Sequence, residues 1–288
     1  MIRAMSTFYR LVRKLRRVPV VPVVVLFCSV IAALTPYVLM PHSPFGIALS
    51  NQLVPPFWQQ GGTSEHLLGT DQLGRDILSR IILGARYSLS VAFAALILGG
   101  VVGLALGMIS GYKGGWLDRV LMRVVDSTLA FPLILLAMIL VVALKPSIST
   151  VIIAIAAIYW ARFARVIRGE TLGIKEREYV VLARIAGASS FRIILKHIFP
   201  NVLNTWVVLL TLIVGQVIVI TATLSFLGVG VPPPAPAWGN MLSEGRGYLT
   251  SAWWLSFFPG VVITLVVLSF NLFGDWLRDA LDPRLRQV

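Results

Sequence analysis

Residue types that perform covalent or metal chemistry are few among these 288 residues, and their spacing does not suit it. The three histidines, His42, His66 and His197, lie far apart along the chain, and none stands at a metal-ligand spacing. Cys28 is the lone cysteine, which excludes an intrachain disulfide or a cysteine metal cluster; inside an apolar run it is expected to be a small buried hydrophobe. No lysine follows a glycine, so there is no phosphate-cradling loop ending in Gly-Lys. Gly228-Val229-Gly230 lacks the rest of a dinucleotide fingerprint and reads as turn glycines closing a helix. Among ionisable residues near an apolar run, only Asp126 comes close to being intramembrane. Arg119 and Arg123 fall on its helical face, so a structural ion pair is expected. The sequence therefore predicts no catalytic residue, no cofactor, no metal and no ion-coupled carrier.

The segment from Arg162 to Asn201 is the informative one. A helical pattern starts at Glu176–Tyr179 and puts Tyr179, Leu182, Ala183 and Ala186 on one side. Gly187-Ala188-Ser189-Ser190 makes a small-residue turn. Phe191, Ile194, Leu195 and Ile198 then start a second helical pattern, expected to end at Pro200. Arg184, Arg192 and Lys196 rim this hairpin. Small residues let the cleft of a partner close around a helix, and arginines reach an acidic rim. This is a surface built to be gripped.

The elements that must carry such a hairpin lie in a membrane. Fifty-seven per cent of the residues are apolar and 13% charged, with a mean hydropathy of +0.86, too little charge for a soluble surface. Six runs approach or exceed the length needed to cross a bilayer as helices: 18–40, 87–111, 124–144, 147–162, 203–227 and 252–274. They are continuous rather than alternating, which argues against a strand barrel. The run from Val18 is too long for a cleaved signal peptide and reads as a retained first span. Residues 41–86 form an external loop whose end, with Leu73, Ile77 and Ile81 at helical spacing and Asp76 paired with Arg80, reads as an interfacial helix or as an extension of the second span. Pro232, Pro233 and Pro234 close the fifth span and open a Pro-rich loop. Gly99, Gly103 and Gly107 form a small-residue stripe that suits close helix packing, with pathway lining as the other reading.

Orientation follows from the basic residues. With both termini inside the cell, the basic tail 1–17, the inside loops and the tail 275–288 carry 20 of the 25 Lys and Arg. The net charge of +13 thus belongs to loops between spans, and its scatter excludes a nucleic-acid interface.

At the hairpin the chain resembles the permeases of ATP-binding cassette importers. Their Glu-Ala-Ala…Gly…Ile-x-Leu-Pro motif finds Ala183, Gly187 and Pro200 in register. Val181 and Leu182 replace its Glu and first Ala, His197 its Ile and Phe199 its Leu. Gly69-Thr70-Asp71 with Gly74-Arg75-Asp76, Gly111-Tyr112-Lys113-Gly114-Gly115, and Leu281-Asp282-Pro283-Arg284 are similar to the dipeptide, oligopeptide and nickel group. The extended first loop suits its second, "C"-type permease. The resemblance implies an all-α, six-helix type I importer permease with a cytoplasmic coupling helix, in the inner membrane. The coupling residues would be Val181, Leu182, Ala183, Arg184, Ala186, Gly187, Ala188, Ser189, Arg192, His197 and Pro200. It further implies a second homologous permease in a heterodimer, two ATPase subunits and an external substrate-binding protein. Peptides are the favoured cargo; nickel, a metal–chelator complex or an opine is the alternative. A stand-alone secondary transporter would need intramembrane charge pairs or internal pseudo-symmetry, and a purely structural subunit would not need the shaped hairpin.

Overall fold

The computed structural model describes residues 19–281, so the basic tail 1–17, Val18 and residues 282–288 lie outside the described residues. The described chain is helical and contains no strand. Helix α1 (Val20–Leu34) is followed by a helical turn, Pro36–Leu39. Then come α2 (Ile77–Lys113), α3 (Gly115–Ala130), α4 (Leu133–Leu144), α5 (Ile148–Lys175) and α6 (Glu178–Ile185). They are followed by α7 (Ser190–Phe226), α8 (Trp238–Gly245) and α9 (Trp254–Leu281). Helices α2, α5, α7 and α9 are each long and apolar enough to cross a membrane, and α3 with α4 would make a fifth crossing as a bent pair. The end of the bundle bearing residues 41–76 and 227–253 is called the head, and the end bearing 111–115 and 176–190 the foot.

Proline and polar sequence redraw several expected spans. The residue before a proline is disfavoured in the α region, and Thr35 and Phe131 obey this, interrupting the first span before Pro36 and the third before Pro132. The third span is therefore two helices at 97°. Pro200 does not end the second hairpin helix as expected. Over Ile194–Ile198 the ladder widens to π spacing, Phe199 N–H reaches the Ile194 carbonyl, and Asn201 Nδ2 donates to the His197 carbonyl at 2.6 Å. The fourth span continues beyond Arg162 to Lys175, so about a third of the expected 162–201 loop is a continuation of that helix. The sixth continues past residue 274 to Leu281. Cys28 is exposed on α1 rather than buried.

Of the two readings for residues 73–81, the extension of the second span holds: they lead into the start of α2. Asp76 is its N-cap, accepting from Ser79 N at 2.8 Å, and Leu73 lies before the helix. The glycine stripe resolves as packing. A methyl on Gly103 would fall 2.4 Å from Phe163 Cβ. One on Gly99 would fall 2.9 Å from the Ala156 carbonyl oxygen, on Gly107 2.7 Å from that of Ala164, and on Gly111 2.8 Å from Thr171 Cβ. Partners rise together in number, so α2 and α5 run parallel with their backbones in contact. Around them, Leu96, Ile155, Tyr159, Val217 and Trp238 belong to the main buried cluster.

Candidate functional site

The foot hairpin is built on its own apolar base. Val180, Ile193 and Ile198 are buried with Leu104 and Met108 of α2, Ile167 and Ile174 of α5, and Val202 of α7. With these three side chains turned inward, the other face of the hairpin is left bare. Leu182 is 64% exposed, Ile185 77% and Phe191 73%, three large apolar side chains on a projecting edge. Burying such surfaces is worth about 1.5–3 kcal/mol each, which makes this edge a candidate interaction surface.

The turn explains why the motif has a glycine. Gly187 sits at φ +80°, its N–H donates to the Arg184 carbonyl at 3.1 Å, and Ala188 N–H donates to the Ala183 carbonyl at 3.0 Å. This pair of bonds closes α6 with a left-handed residue, which glycine adopts without steric cost. Ser189 then accepts from Arg192 N at 3.4 Å and caps the next helix. Ala186 is the α6 C-cap and exposed, while Val181, Ala183 and Ala188 are half-buried. Pro200 lies on the exposed side of α7.

One contact ties the hairpin to α2, a second ties the end of α5 to α2 beside it, and a third lies within the hairpin. The Arg184 guanidinium lies 5.9 Å from the centre of the Tyr112 ring. Lys175 Nζ donates to the Gly111 carbonyl at 3.1 Å, and the Tyr179 and His197 rings stand 6.1 Å apart. Arg184, expected only to rim a partner's cleft, is thus also held by its own chain. Nearby, Asp118 takes both Arg168 Nε (2.5 Å) and Arg168 Nη2 (2.6 Å), a bidentate pair between α3 and α5. Asp126 pairs with Arg165 of α5, not with Arg119 or Arg123, because α3 lies across α5. The elbow between α3 and α4 leaves a cleft of about 310 Å³ against α5, lined by Leu129, Leu133, Tyr159, Arg162 and Arg165.

At the head, the motif residues form a different device. Gly69 (φ +82°) and Gly74 (φ +73°) bracket a tight turn in which the side chain of Asp71 accepts from Leu73 N and Arg75 N. Thr70 accepts from Val54 N at 2.8 Å through its hydroxyl, and its carbonyl accepts from Trp254 Nε1 at 3.0 Å. Asp71 also holds Arg75 Nε at 2.6 Å and pairs with Arg80, both beneath the surface. Both arginines then reach Glu244 of α8, Arg75 at 2.9 Å and Arg80 at 2.8 Å. Two cations and two anions make a neutral clasp between the first head segment and the last. Arg80 therefore serves Asp71 and Glu244, not Asp76 as its spacing suggested.

Helix α8 is the element missed in the expected Pro-rich loop. Trp238 is buried, its backbone N–H donates to Ser88 Oγ and its Nε1 to the Ile81 carbonyl, each at 3.0 Å. Gly84 lies so close to this loop that a methyl on it would stand 2.5 Å from the Pro236 carbonyl oxygen. The available signal was Glu244 itself, the first charge after the long uncharged stretch from His197 to Ser243.

The model of the family described as binding-protein-dependent transport system inner membrane component matches residues 103–287, which include the hairpin, the elbow and α8. The dipeptide transport system permease protein DppC of Haemophilus influenzae is 43% identical over 263 residues, covering 91% of this chain and 89% of that protein. Its Bacillus subtilis namesake is 39% identical over 265 residues, 92% of this chain and 81% of that one. The glutathione transport system permease protein GsiD of Pectobacterium atrosepticum is 44% identical over 227 residues, 79% and 75% of the two. A helical membrane bundle with a bare apolar hairpin at its foot, matched over most of its length in this way, belongs to the binding-protein-dependent transport system inner membrane components.

Proposed function

We propose that this chain is one of two membrane-spanning permease subunits in an ATP-driven importer of di- and oligopeptides. The observation that carries the reading is the foot hairpin, whose Leu182, Ile185 and Phe191 are exposed above a buried apolar base. In this reading α6 is the coupling helix, seated in a cleft of one of two ATPase subunits, and Val181 to Ser189 with Arg192, His197 and Pro200 form or support the docked surface. The chain hydrolyses no ATP itself, in keeping with its lack of a Gly-Lys phosphate loop.

Foot and termini face the cytoplasm, as the distribution of 25 Lys and Arg supports. The head faces outward, where a substrate-binding protein delivers cargo, and a second, homologous permease completes the pathway as a heterodimer. Closure of the ATPase pair on nucleotide draws the two feet together and opens the pathway outward; hydrolysis resets it. Relatives named for dipeptide, di/tripeptide and glutathione transport favour peptide cargo over nickel or an opine.

The test uses the assembled transporter and a labelled dipeptide. Replacing both Leu182 and Ile185 by Asp is expected to cut uptake roughly ten-fold or more, since buried apolar anchors dominate such interfaces, with the amount of chain in the membrane unchanged. Gly187→Trp is expected to abolish uptake in the same way. Normal uptake in both variants would show the docking assignment to be wrong.

A further inference from the structure

At the head, the fold brings together three residues that are distant in sequence. His42, His66 and Asp76 each offer one ligand atom, and these atoms all lie within 4.8 Å of one another. His66 Nδ1 stands 3.0 Å from Asp76 Oδ1, and His42 Nδ1 stands 3.9 Å from the same oxygen. Ligands on a tetrahedral ion at bond lengths near 2.0–2.1 Å are separated by about 3.3 Å. That lies between those two values but short of the widest of the three separations, 4.8 Å, so a bound ion draws the part-exposed His42 ring inward.

The surroundings of Asp76 also suit a cation in place of the hydrogen bond that now joins His66 Nδ1 to Oδ1. Asp76 is 2% exposed, and a buried carboxylate needs compensation. The nearby guanidinium groups of Arg75 and Arg80 are engaged with Asp71 and Glu244. What faces Asp76 Oδ1 is the pair of imidazoles, whose rings are 4.8 Å apart. The other oxygen, Oδ2, is occupied by Ser79 N at 2.8 Å, which fixes the carboxylate's orientation. Ser79 Oγ in turn accepts from the backbone N–H of His42 at 3.1 Å, so one residue positions two of the three ligands. The His42 side chain is 39% exposed, which leaves an entry path for an ion.

We propose that His42, His66 and Asp76 form a binding site for a divalent transition-metal ion, with Zn2+ the natural probe. Two imidazoles and one carboxylate prefer zinc, cobalt, nickel or copper to calcium or magnesium. The bound ion takes three ligands from the chain and keeps a fourth position for water. It staples the segment after α1, the loop around His66 and the N-cap of α2 to one another. The site belongs to this chain alone and does not depend on the transport reading.

The test is a titration of the purified full-length chain in detergent, stripped with a chelator and followed by the visible spectrum of Co2+ and by competition with Zn2+. One ion per chain is expected, with a tetrahedral Co2+ spectrum and a Zn2+-dependent rise in thermal midpoint. His42→Gln and His66→Gln are each expected to weaken Zn2+ binding about ten-fold or more and to remove the thermal shift. His197→Gln, at the foot, should leave both unchanged. The metal-free thermal midpoint of each variant checks that it folds, and His66→Cys, which keeps a zinc ligand, should restore binding should the glutamine variant not fold. Absence of Zn2+ binding in the wild-type chain, or equal binding in folded His42 and His66 variants, would overturn the proposal.

Discussion

The two ends of the bundle are closed by opposite means. At the head, Asp71, Arg75, Arg80 and Glu244 neutralise one another, and Trp238 and Trp254 spend their indole N–H groups on the chain's own carbonyls. At the foot, a thin apolar base supports a hairpin whose largest apolar side chains are exposed, held laterally by Arg184 on Tyr112. The head satisfies itself; the foot leaves its most valuable surface unspent. Equal stability at the two ends would undo this contrast, and three substitutions probe it.

The largest effect is expected at the head. Asp71→Ala leaves two largely buried guanidinium groups with Glu244 alone, and breaking a buried ionic group in this way costs about 3–5 kcal/mol. Thermal unfolding of the purified chain should show it, and a change no larger than that of a surface variant would refute the clasp. Gly187→Ala comes next: open space surrounds the site, so the penalty is the left-handed backbone alone, about 1–2 kcal/mol. It should appear as faster proteolysis at the foot with the head intact. Tyr112→Leu is expected to be smallest, about 0.5–1 kcal/mol. Its signature is a more mobile α6 in hydrogen exchange, with no change around α8.

Much of the bundle was legible because apolar runs report membrane crossings directly. Their ends were not. Arg162, Arg165 and Arg168 look like the start of a loop, yet each sits on α5 and reaches a polar partner across the bundle: Gln216, Asp126 and Asp118. Prolines show the same dependence on context. Pro132 divides its span, Pro200 is absorbed by a π stretch, and Pro259 lies inside α9 near its start. A proline's missing donor is local, but whether the helix survives depends on how the ladder around it rearranges, as the widened turn before Pro200 shows. The hairpin turn was readable because Gly187, Ala188 and Ser189 act through bonds within a few residues. The clasp was not, since Glu244 is 164 positions from Arg80 in sequence and only folding pairs them. His42 and His66 reach Asp76 for the same reason.

The glycine contacts between α2 and α5 have a mechanical consequence. Helices joined through interlocking side chains can slide by a rotamer change; helices whose backbones touch at Gly99, Gly103, Gly107 and Gly111 have no such slack. The close contact runs from Gly99 to Gly111, about 18 Å of the foot half of α2 at 1.5 Å per residue. The hairpin lies at the foot end of that contact, and α2 continues from it toward Asp76 and Arg80 at the head. Foot and head are thus joined by one unbroken helix, α2, from its Asp76 cap to Gly111 beneath the hairpin.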